Sequence, residues 1–130
     1  MQQAIELADL LLITEAVLEI PAEDIQRVGR MPEAESALAA PYASIGGKDF
    51  YPDPAERAAI LCSRIIRNHP LPDGNKRVGY LAMREALFRE GLDWKDPAGG
   101  QNEIAGVIEA VAAREMGEPE FIDWVKARTA

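Results

Sequence analysis

The sequence predicts an all-α protein, a compact bundle of about six helices with a short β-hairpin, and we expect residues 1–130 to form a single domain. Apolar residues recur at helical spacing through most of the chain, which is the pattern of helices that bury one face. Glycine and proline residues separate these periodic stretches. Strands do not alternate with helices in the pattern, so a larger sheet is not expected.

The first three predicted helices are short and are separated by proline and glycine. The first ends before Pro21. The second spans Ala22–Val28 and ends at Gly29, and the third spans Pro32–Ala40 and stops before Pro41. The apolar stripe of the first helix, which we expect to face the core, consists of Ile5, Ala8, Leu11, Leu12 and Ala16.

The stretch from Tyr42 to Asp53 interrupts the helical pattern. It contains Gly46-Gly47 between short segments with aromatic residues, which is typical of a β-hairpin or a mobile loop. Such a hairpin is either an ordinary surface connection or a flap over a functional site. The local residues leave both interpretations open.

The clearest helix start in the sequence lies at Asp53. Its short carboxylate is a favoured N-cap, and Glu56, three residues later, completes a capping box. We expect this helix to end near Asn68, because Pro70 disfavours helical conformation at His69. Its apolar stripe consists of Ala58, Leu61, Cys62, Ile65 and Ile66.

The next helix is predicted to start near Gly74 and to run to about Glu90, with Gly91 as its C-terminal stop. Apolar residues lie on more than one of its sides, so we expect a central, mostly enclosed helix. One side carries Val78, Leu81, Ala82 and Phe88, and another carries Tyr80, Met83 and Leu87.

Two further helices complete the predicted bundle. One follows a connection from Asp96 to Gly100 and closes at Gly117. Its apolar residues are Ile104, Val107, Ile108 and Val111, and those of the last helix are Phe121, Trp124 and Val125.

Charge and composition exclude several classes of function. The formal net charge is −8 and the basic residues are scattered, which argues against nucleic-acid binding. Apolar runs are too short to span a membrane, and Glu6 and Asp9 are unlike the start of a secretory signal. The lone Cys62 lies in an apolar stretch, which indicates a buried thiol and fits a cytoplasmic location. One cysteine and one histidine cannot form a structural Cys/His zinc site.

A stiff turn between the two central helices leads into a candidate phosphate cradle. Gly74, Asn75, Lys76 and Arg77 open the second of these helices. The first N–H groups of a helix lack partners and carry partial positive charge. Glycine lets a ligand approach the backbone, and two cations can bind phosphate oxygens. This combination favours binding of a phosphate group.

His69 and Asp73 lie in the same turn and could act on a bound nucleotide. The imidazole of His69, the one histidine in the chain, can take a proton from an attacking hydroxyl. Asp73 offers a hard oxygen ligand for Mg²⁺ between nucleotide phosphates. Structural roles are the alternative: a hydrogen-bonded turn histidine, a helix cap at Asp73, and a bond from Asn75 to a local carbonyl. Together the residues favour phosphoryl-type transfer.

The segment His69–Arg77, HPLPDGNKR, resembles the signature of the Fic/Doc (Fido) superfamily, H-P-F-x-[DE]-G-N-[GK]-R. Leu71 departs from it, since the family prefers phenylalanine there, and we expect this position to pack inward. The segment Glu35–Ala39, followed by Pro41, is also similar to the family. Chain length and layout resemble the small, stand-alone Doc (death on curing) toxins.

The resemblance implies a role for each residue of the turn. His69 would be the general base that activates a hydroxyl of a target protein, and Asp73 would hold Mg²⁺. The residues that bind the phosphates of ATP, the co-substrate, would be Gly74, Asn75, Lys76 and Arg77. A flap that aligns the target by strand addition would consist of Ile45, Gly46, Gly47 and Lys48.

The resemblance is compatible with transfer of either of two groups from ATP, AMP or phosphate. Larger Fic enzymes transfer AMP and usually carry glycine at the position of Lys76 and a second arginine at the position of Tyr80. Doc toxins share both departures, bind ATP the opposite way round and phosphorylate a threonine of elongation factor Tu. We therefore expect kinase chemistry on a Ser or Thr hydroxyl of a translation factor such as elongation factor Tu, with AMP transfer as the alternative.

A regulatory partner is also implied. The inhibitory pattern of Fic enzymes, [ST]-x-x-x-E-[GN], is absent from the sequence: Leu18 follows Thr14 after four residues, and Ala40 follows Ser36. Restraint is therefore expected from a cognate antitoxin. Two rival hypotheses are a non-catalytic interaction module, supported by Leu71 and the missing second arginine, and, more weakly, a nuclease toxin.

Overall fold

The computed structural model describes residues 4–130, so residues 1–3 of the expected domain lie outside it. Over residues 4–130 the chain forms seven α-helices, a short 3-10 helix and a two-stranded antiparallel hairpin. This confirms the all-α class with a short hairpin: each of the seven helices corresponds to a stretch that the sequence indicates as helical, against a summary count of about six. The helices are α1 (Leu7–Leu18), α2 (Ala22–Val28), α3 (Met31–Ala39), α4 (Pro54–Asn68), α5 (Asn75–Arg89), α6 (Gly100–Ala112) and α7 (Glu118–Thr129). The 3-10 helix is Ala40–Tyr42, and the strands are β1 (Ser44–Ile45) and β2 (Lys48–Asp49).

Helices α4 and α5 form the centre of the molecule. They pack against each other, and α4 also contacts α3, α6 and α7. At their crossing the backbone of Gly79 lies close to α4: an added Cβ would be 3.1 Å from the carbonyl oxygen of Cys62 and 3.2 Å from Cγ1 of Ile66. The missing side chain at Gly79 therefore permits the close approach of the two central helices.

The predicted limits of α4 are confirmed. Asp53 Oδ1 accepts a hydrogen bond from the Ala55 N–H at 2.8 Å, and Glu56 Oε1 accepts one from the Asp53 N–H at 3.2 Å, which forms the capping box. The helix ends at Asn68. His69 then adopts a left-handed backbone conformation, with φ 54° and ψ 52°. The sequence determines both ends locally, through the carboxylate cap and through Pro70.

Two apolar clusters flank the central helix pair. The first joins α4 and α5 to α6 and α7, and the second joins them to α1, α2 and α3. Leu71 belongs to the second cluster and is 3% exposed, so the expected inward packing is confirmed. Cys62 is buried as predicted, and burial raises the pKa of its thiol.

The buried face of α1 differs from the predicted stripe. Leu10, Leu11 and Thr14 are buried, whereas Leu12 is 62% exposed and Ala8 and Ala16 are also exposed. Thr14 Oγ1 donates a hydrogen bond to the Leu10 carbonyl at 2.7 Å. Because this bond satisfies the hydroxyl, Thr14 can be buried although it is polar. A prediction from apolar residues alone therefore placed the buried face of α1 wrongly.

Two later helices also differ from the prediction. In α5, Phe88 is 77% exposed and Leu81 is 38% exposed, because neighbouring helices cover only part of its surface. Helix α6 ends at Ala112, and a turn with Arg114 at φ 60° separates it from Gly117, which is the N-cap of α7. None of the helices in the described part of the chain is both long enough and apolar enough to cross a membrane.

Candidate functional site

The turn of residues 69–74 joins the end of α4 to the start of α5, and Asn75 closes it from inside. The Leu71 N–H donates to Asn75 Oδ1 at 2.9 Å, and Asn75 Nδ2 donates to the Leu71 carbonyl at 3.0 Å. Asn75 is only 4% exposed. Its side chain therefore holds the turn rather than a ligand, as in the structural alternative for this residue, and only its backbone N–H remains for phosphate.

The connection between α2 and α3 holds the turn from the other side. The Arg30 N–H donates to the Pro70 carbonyl at 2.7 Å, and Asn68 Nδ2 donates to the Glu33 carbonyl at 3.1 Å. A Cβ at Gly29 would be 3.1 Å from the Pro70 carbonyl oxygen and 2.8 Å from that of Ile25. The turn backbone is thus fixed by contacts from several elements, which is what a precise reaction centre requires.

Helix α5 begins with unpartnered N–H groups. Gly74 is its N-cap, in a left-handed conformation with φ 73°, and a Cβ there would be 3.1 Å from Cδ2 of Leu18. The first helical hydrogen bond runs from the Val78 N–H to the Gly74 carbonyl at 2.9 Å. Within residues 4–130 the N–H groups of Asn75, Lys76 and Arg77 have no acceptor. They create the positive potential that attracts anions to a helix N-terminus.

An open pocket of about 450 Å³ lies beside this turn. That volume is within the usual range of roughly 300–1,000 Å³ for small-molecule sites. The imidazole of His69 is exposed at this pocket and does not point into the protein interior. The structure therefore brings the predicted residues of the turn together at one cavity. Its lining consists of Ile66, His69, Pro72, Asp73, Gly74, Asn75, Lys76, Arg77 and Ala112.

The two cations of the pocket are held differently. Lys76 Nζ lies 2.6 Å from Glu109 Oε1 on α6, and both side chains are about half exposed or more. Exposed ion pairs of this kind contribute little to stability, so a phosphate group can compete for the lysine. Arg77 is exposed and forms no ion pair with any residue from 4 to 130. Arg77 is thus the cation available to a ligand without displacement of another group.

Asp73 fits the kind of metal site that nucleotides complete. Its Oδ1 accepts a hydrogen bond from the N–H of Gly74, the residue just before the first turn of α5, at 2.8 Å, so the carboxylate does not cap the helix N–H groups that follow. The described residues contain no cluster of three or more His, Cys, Asp or Glu side chains that could hold a metal ion alone. Mg²⁺ at nucleotide sites is commonly held by one or two carboxylates together with phosphate oxygens and water. A single carboxylate beside a phosphate pocket suits that arrangement.

The structure does not bring the predicted flap to this pocket. Ile45, Gly46, Gly47 and Lys48 are exposed, and none of them lines the cavity. Their hairpin leads into the N-terminal end of α4, whereas His69 follows its C-terminal end; the 15 residues between correspond to about 22 Å. Helix direction separates the two segments, and no local pattern in the sequence reveals that separation.

The segment that does contact the turn is the connection at Gly29 and Arg30, which the sequence analysis did not assign to the site. The Arg30 N–H bonds the Pro70 carbonyl, and Arg30 Nη1 lies 3.5 Å from the His69 carbonyl oxygen. In the sequence, the only sign of this connection was a glycine, Gly29, between two short predicted helices. The contact itself is long-range and appears only in the fold.

Residues 4–87 match the family model described as the Fic/DOC family, so the match extends over more than half of the chain and includes the whole turn. The chain is also similar to Toxin Doc of Mycolicibacterium smegmatis, with 44% identity over 58 residues. That alignment covers 45% of this chain and 45% of the relative, so the chain spans less than half of the length of the curated relative that it matches.

Proposed function

The chain belongs to the Fic/DOC family, and on this premise we propose that it is a Doc-like toxin that uses ATP to phosphorylate a Ser or Thr hydroxyl of another protein. A translation factor such as elongation factor Tu is the proposed target. The observation that supports this most strongly is the open pocket, which combines the exposed imidazole of His69 with Asp73, Arg77 and the unpartnered N–H groups of α5.

The start of α5 supports the binding of phosphate groups. Its first N–H groups have no acceptor in the described chain, and Arg77 is exposed beside them. Backbone N–H donors and a guanidinium form charge-assisted hydrogen bonds with phosphate oxygens. Lys76 adds a second cation once Glu109 is displaced from it. Two phosphates of a nucleotide can then be neutralised without a larger basic surface.

The proposed reaction transfers the γ-phosphoryl group. The target hydroxyl oxygen attacks the γ-phosphorus as its proton passes to the imidazole of His69. The bond between the γ-phosphorus and the oxygen that bridges it to the β-phosphate breaks, and ADP leaves with the electron pair. Positioning and charge neutralisation supply most of the rate enhancement in such transfers. The fixed turn around Asn75 supplies the positioning.

Asp73 would hold Mg²⁺ in this scheme, and the bound ion would neutralise charge on the phosphate oxygens. The hydrogen bond from the Gly74 N–H to Asp73 Oδ1 fixes the carboxylate at the pocket edge. Its second oxygen is then free to face a metal–phosphate complex. A single protein carboxylate is sufficient, because the nucleotide and water supply the other ligands.

Kinase chemistry is favoured over AMP transfer by the absence of a second arginine at the pocket. Tyr80 occupies the position where the AMP-transferring relatives carry it. The nearest arginine along α5, Arg84, donates to Tyr80 Oη at 2.9 Å and stacks on Trp94 at 4.7 Å. Within the described residues, Arg77 is thus the one arginine that lines the pocket.

We also propose a cognate antitoxin as partner and a cytoplasmic site of action. The similar protein of Mycolicibacterium smegmatis is named a toxin, and a toxin that modifies a host protein requires restraint. The sequence lacks the inhibitory pattern of Fic enzymes, so a separate protein is the simplest source of that restraint.

The test incubates the protein with Mg²⁺, purified elongation factor Tu or a bacterial lysate, and ATP labelled on either the γ- or the α-phosphate. We expect protein-bound γ-label with the wild type, none with His69→Ala, and full labelling with Asn102→Ala, an exposed α6 residue outside the pocket. Bound α-label would instead establish AMP transfer. No bound label of either kind would establish a non-catalytic interaction module.

A further inference from the structure

A second cavity, separate from the phosphate pocket, lies beside the C-terminal end of α4. It encloses about 390 Å³, and most of the side chains around it are polar or charged. None of its residues lines the phosphate pocket. The lining consists of Arg30, Pro32, Glu33 and Ser36 from α3 and its N-cap, and of Arg67 and Asn68 from α4.

Arg67 is a largely buried cation with few partners. Its side chain is 18% exposed, and within residues 4–130 only its Nη2 group donates a hydrogen bond, to the Met116 carbonyl at 3.3 Å. The Nε–H is buried and has no acceptor among the described residues. Glu118 lies 3.6 Å from Nη1 but already accepts bonds from Ser63 and Arg64. A guanidinium that is partly desolvated and has unused donors favours the binding of an added carboxylate.

We propose that this cavity binds an acidic side chain of the target protein, an aspartate or glutamate close to the modified hydroxyl, an inference that rests on the proposed function. The cavity adjoins the proposed reaction centre, because Asn68 directly precedes His69 and Arg30 Nη1 lies 3.5 Å from the His69 carbonyl oxygen. An extended peptide spans about 3.3–3.6 Å per residue. A side chain two or three residues from a hydroxyl at His69 can therefore reach the cavity.

The charges of the cavity suit a carboxylate better than a phosphate group. Arg30 and Arg67 supply two guanidinium groups, which bind carboxylates in a planar, bidentate way, and Ser36 and Asn68 supply neutral donors. The carboxylate of Glu33 reduces the net positive charge. It lies 3.6 Å from Arg30 in a largely exposed pair that a ligand can replace at little cost. Glu33 repels a singly charged carboxylate less than a phosphate group with a charge of about −2.

The test uses two synthetic peptides that carry a central threonine and differ only in having glutamate or glutamine at the flanking positions. Nuclear magnetic resonance of the whole chain with labelled arginine measures their binding through the side-chain Nε–H signals. We expect the wild type to bind the glutamate peptide about fivefold more tightly than the glutamine peptide, as one exposed ion pair allows. Arg30→Gln is expected to remove this preference. Glu33→Gln, which removes the repelling charge, is expected to increase it.

Arg27→Gln is the matched control. Arg27 is exposed on α2, forms a surface pair with Asp24 at 3.1 Å and does not line the cavity, so this variant is expected to keep the full preference. The thermal unfolding curve of Arg30→Gln is expected to match that of the wild type, because the pair with Glu33 is largely exposed.

Three outcomes would overturn the acidic-residue site: equal binding of the two peptides by the wild type, no binding of either, or an undiminished glutamate preference in Arg30→Gln. Inorganic phosphate that displaces the glutamate peptide and shifts the same arginine signals would assign the cavity to phosphate instead. The proposed reaction fails separately, because a protein that prefers the glutamate peptide but transfers no group from ATP would retain this site and lose the kinase assignment.

Discussion

Asn75 lies in the middle of the segment that we propose to bind phosphate, yet its side chain bonds the protein's own backbone. Its amide pairs with the backbone N–H and carbonyl of Leu71, a turn residue whose side chain is buried. These bonds determine where His69 and Asp73 are held relative to the first turn of α5. The residue therefore contributes to the site by positioning its neighbours.

Substitution of Asn75 by alanine is expected to destabilise the protein by about 1–3 kcal/mol, because it leaves buried Leu71 groups without partners. Urea unfolding monitored by circular dichroism measures this change. Asn102→Ala is the control, since Asn102 is exposed on α6, and it is expected to have little effect. Equal stability of Asn75→Ala and the wild type would show that the amide does not hold the turn.

At the scale of helices, the crossing of α4 and α5 depends on Gly79. Alanine usually stabilises a helix interior by about 0.5–1 kcal/mol relative to glycine. At Gly79 the new Cβ would lie 3.1 Å from the Cys62 carbonyl oxygen, a backbone atom that cannot move freely. At Gly106 in α6 a Cβ would have no neighbour within 4 Å among the described atoms.

This contrast gives a matched pair of substitutions. Gly106→Ala is expected to raise the free energy of unfolding by up to about 1 kcal/mol through helix propensity alone. Gly79→Ala is expected to lower it, because the two central helices must separate slightly. Thermal unfolding of both variants measures the difference. A stabilising Gly79→Ala would contradict the close approach of α4 and α5.

The polar contacts between α4 and α7 are centred on Glu118. Its carboxylate accepts hydrogen bonds from Ser63 Oγ at 2.7 Å and Arg64 Nε at 2.9 Å, and Arg67 Nη1 lies 3.6 Å away. Burial by itself raises the pKa of Glu118, but the bonds from Arg64 and Ser63 and the charges of both arginines outweigh it. The pKa of Glu118 is therefore lowered from its usual 4.5.

A lowered carboxyl pKa implies stability that is present above the unfolded-state pKa and is lost as pH falls through the lower folded-state value. We expect Glu118→Gln to lower the free energy of unfolding at neutral pH by about 1–3 kcal/mol. Its stability should also decline less than that of the wild type below pH 4.5. Glu120→Gln, an exposed change in the same helix, is the control. Parallel pH profiles for Glu118→Gln and the wild type would contradict this.

Local features of the elements could be predicted from the sequence, and long-range ones could not. The cap at Asp53 and the stop at Pro70 depend on neighbours within a few residues, so α4 was predicted correctly at both ends. The turn residues were predicted together because they are consecutive. The position of the Gly46-Gly47 hairpin depends on the direction of α4, and the contact of Arg30 with Pro70 joins residues 40 positions apart. Neither could therefore be predicted from local sequence patterns.

At the scale of the whole molecule, the two apolar clusters determine where the site can form. Each cluster covers one side of the α4–α5 pair, and the turn between these helices remains open at the end. The 22 acidic residues outnumber the 14 basic ones, so the molecule as a whole disfavours anions, and Lys76 and Arg77 place two cations side by side at that opening. The global fold thus produces one local region suited to phosphate on an otherwise acidic protein.

The chain contains one histidine, so the imidazole signal of His69 in a nuclear magnetic resonance spectrum needs no assignment by mutation. Titration of a histidine-labelled sample with Mg²⁺ and a non-hydrolysable ATP analogue therefore reports directly on the proposed reaction centre. We predict a saturable shift of this one signal in the wild type, and a much weaker response in Arg77→Ala at the same concentrations. An unchanged His69 signal in a sample that calorimetry shows to be saturated with nucleotide would contradict the account.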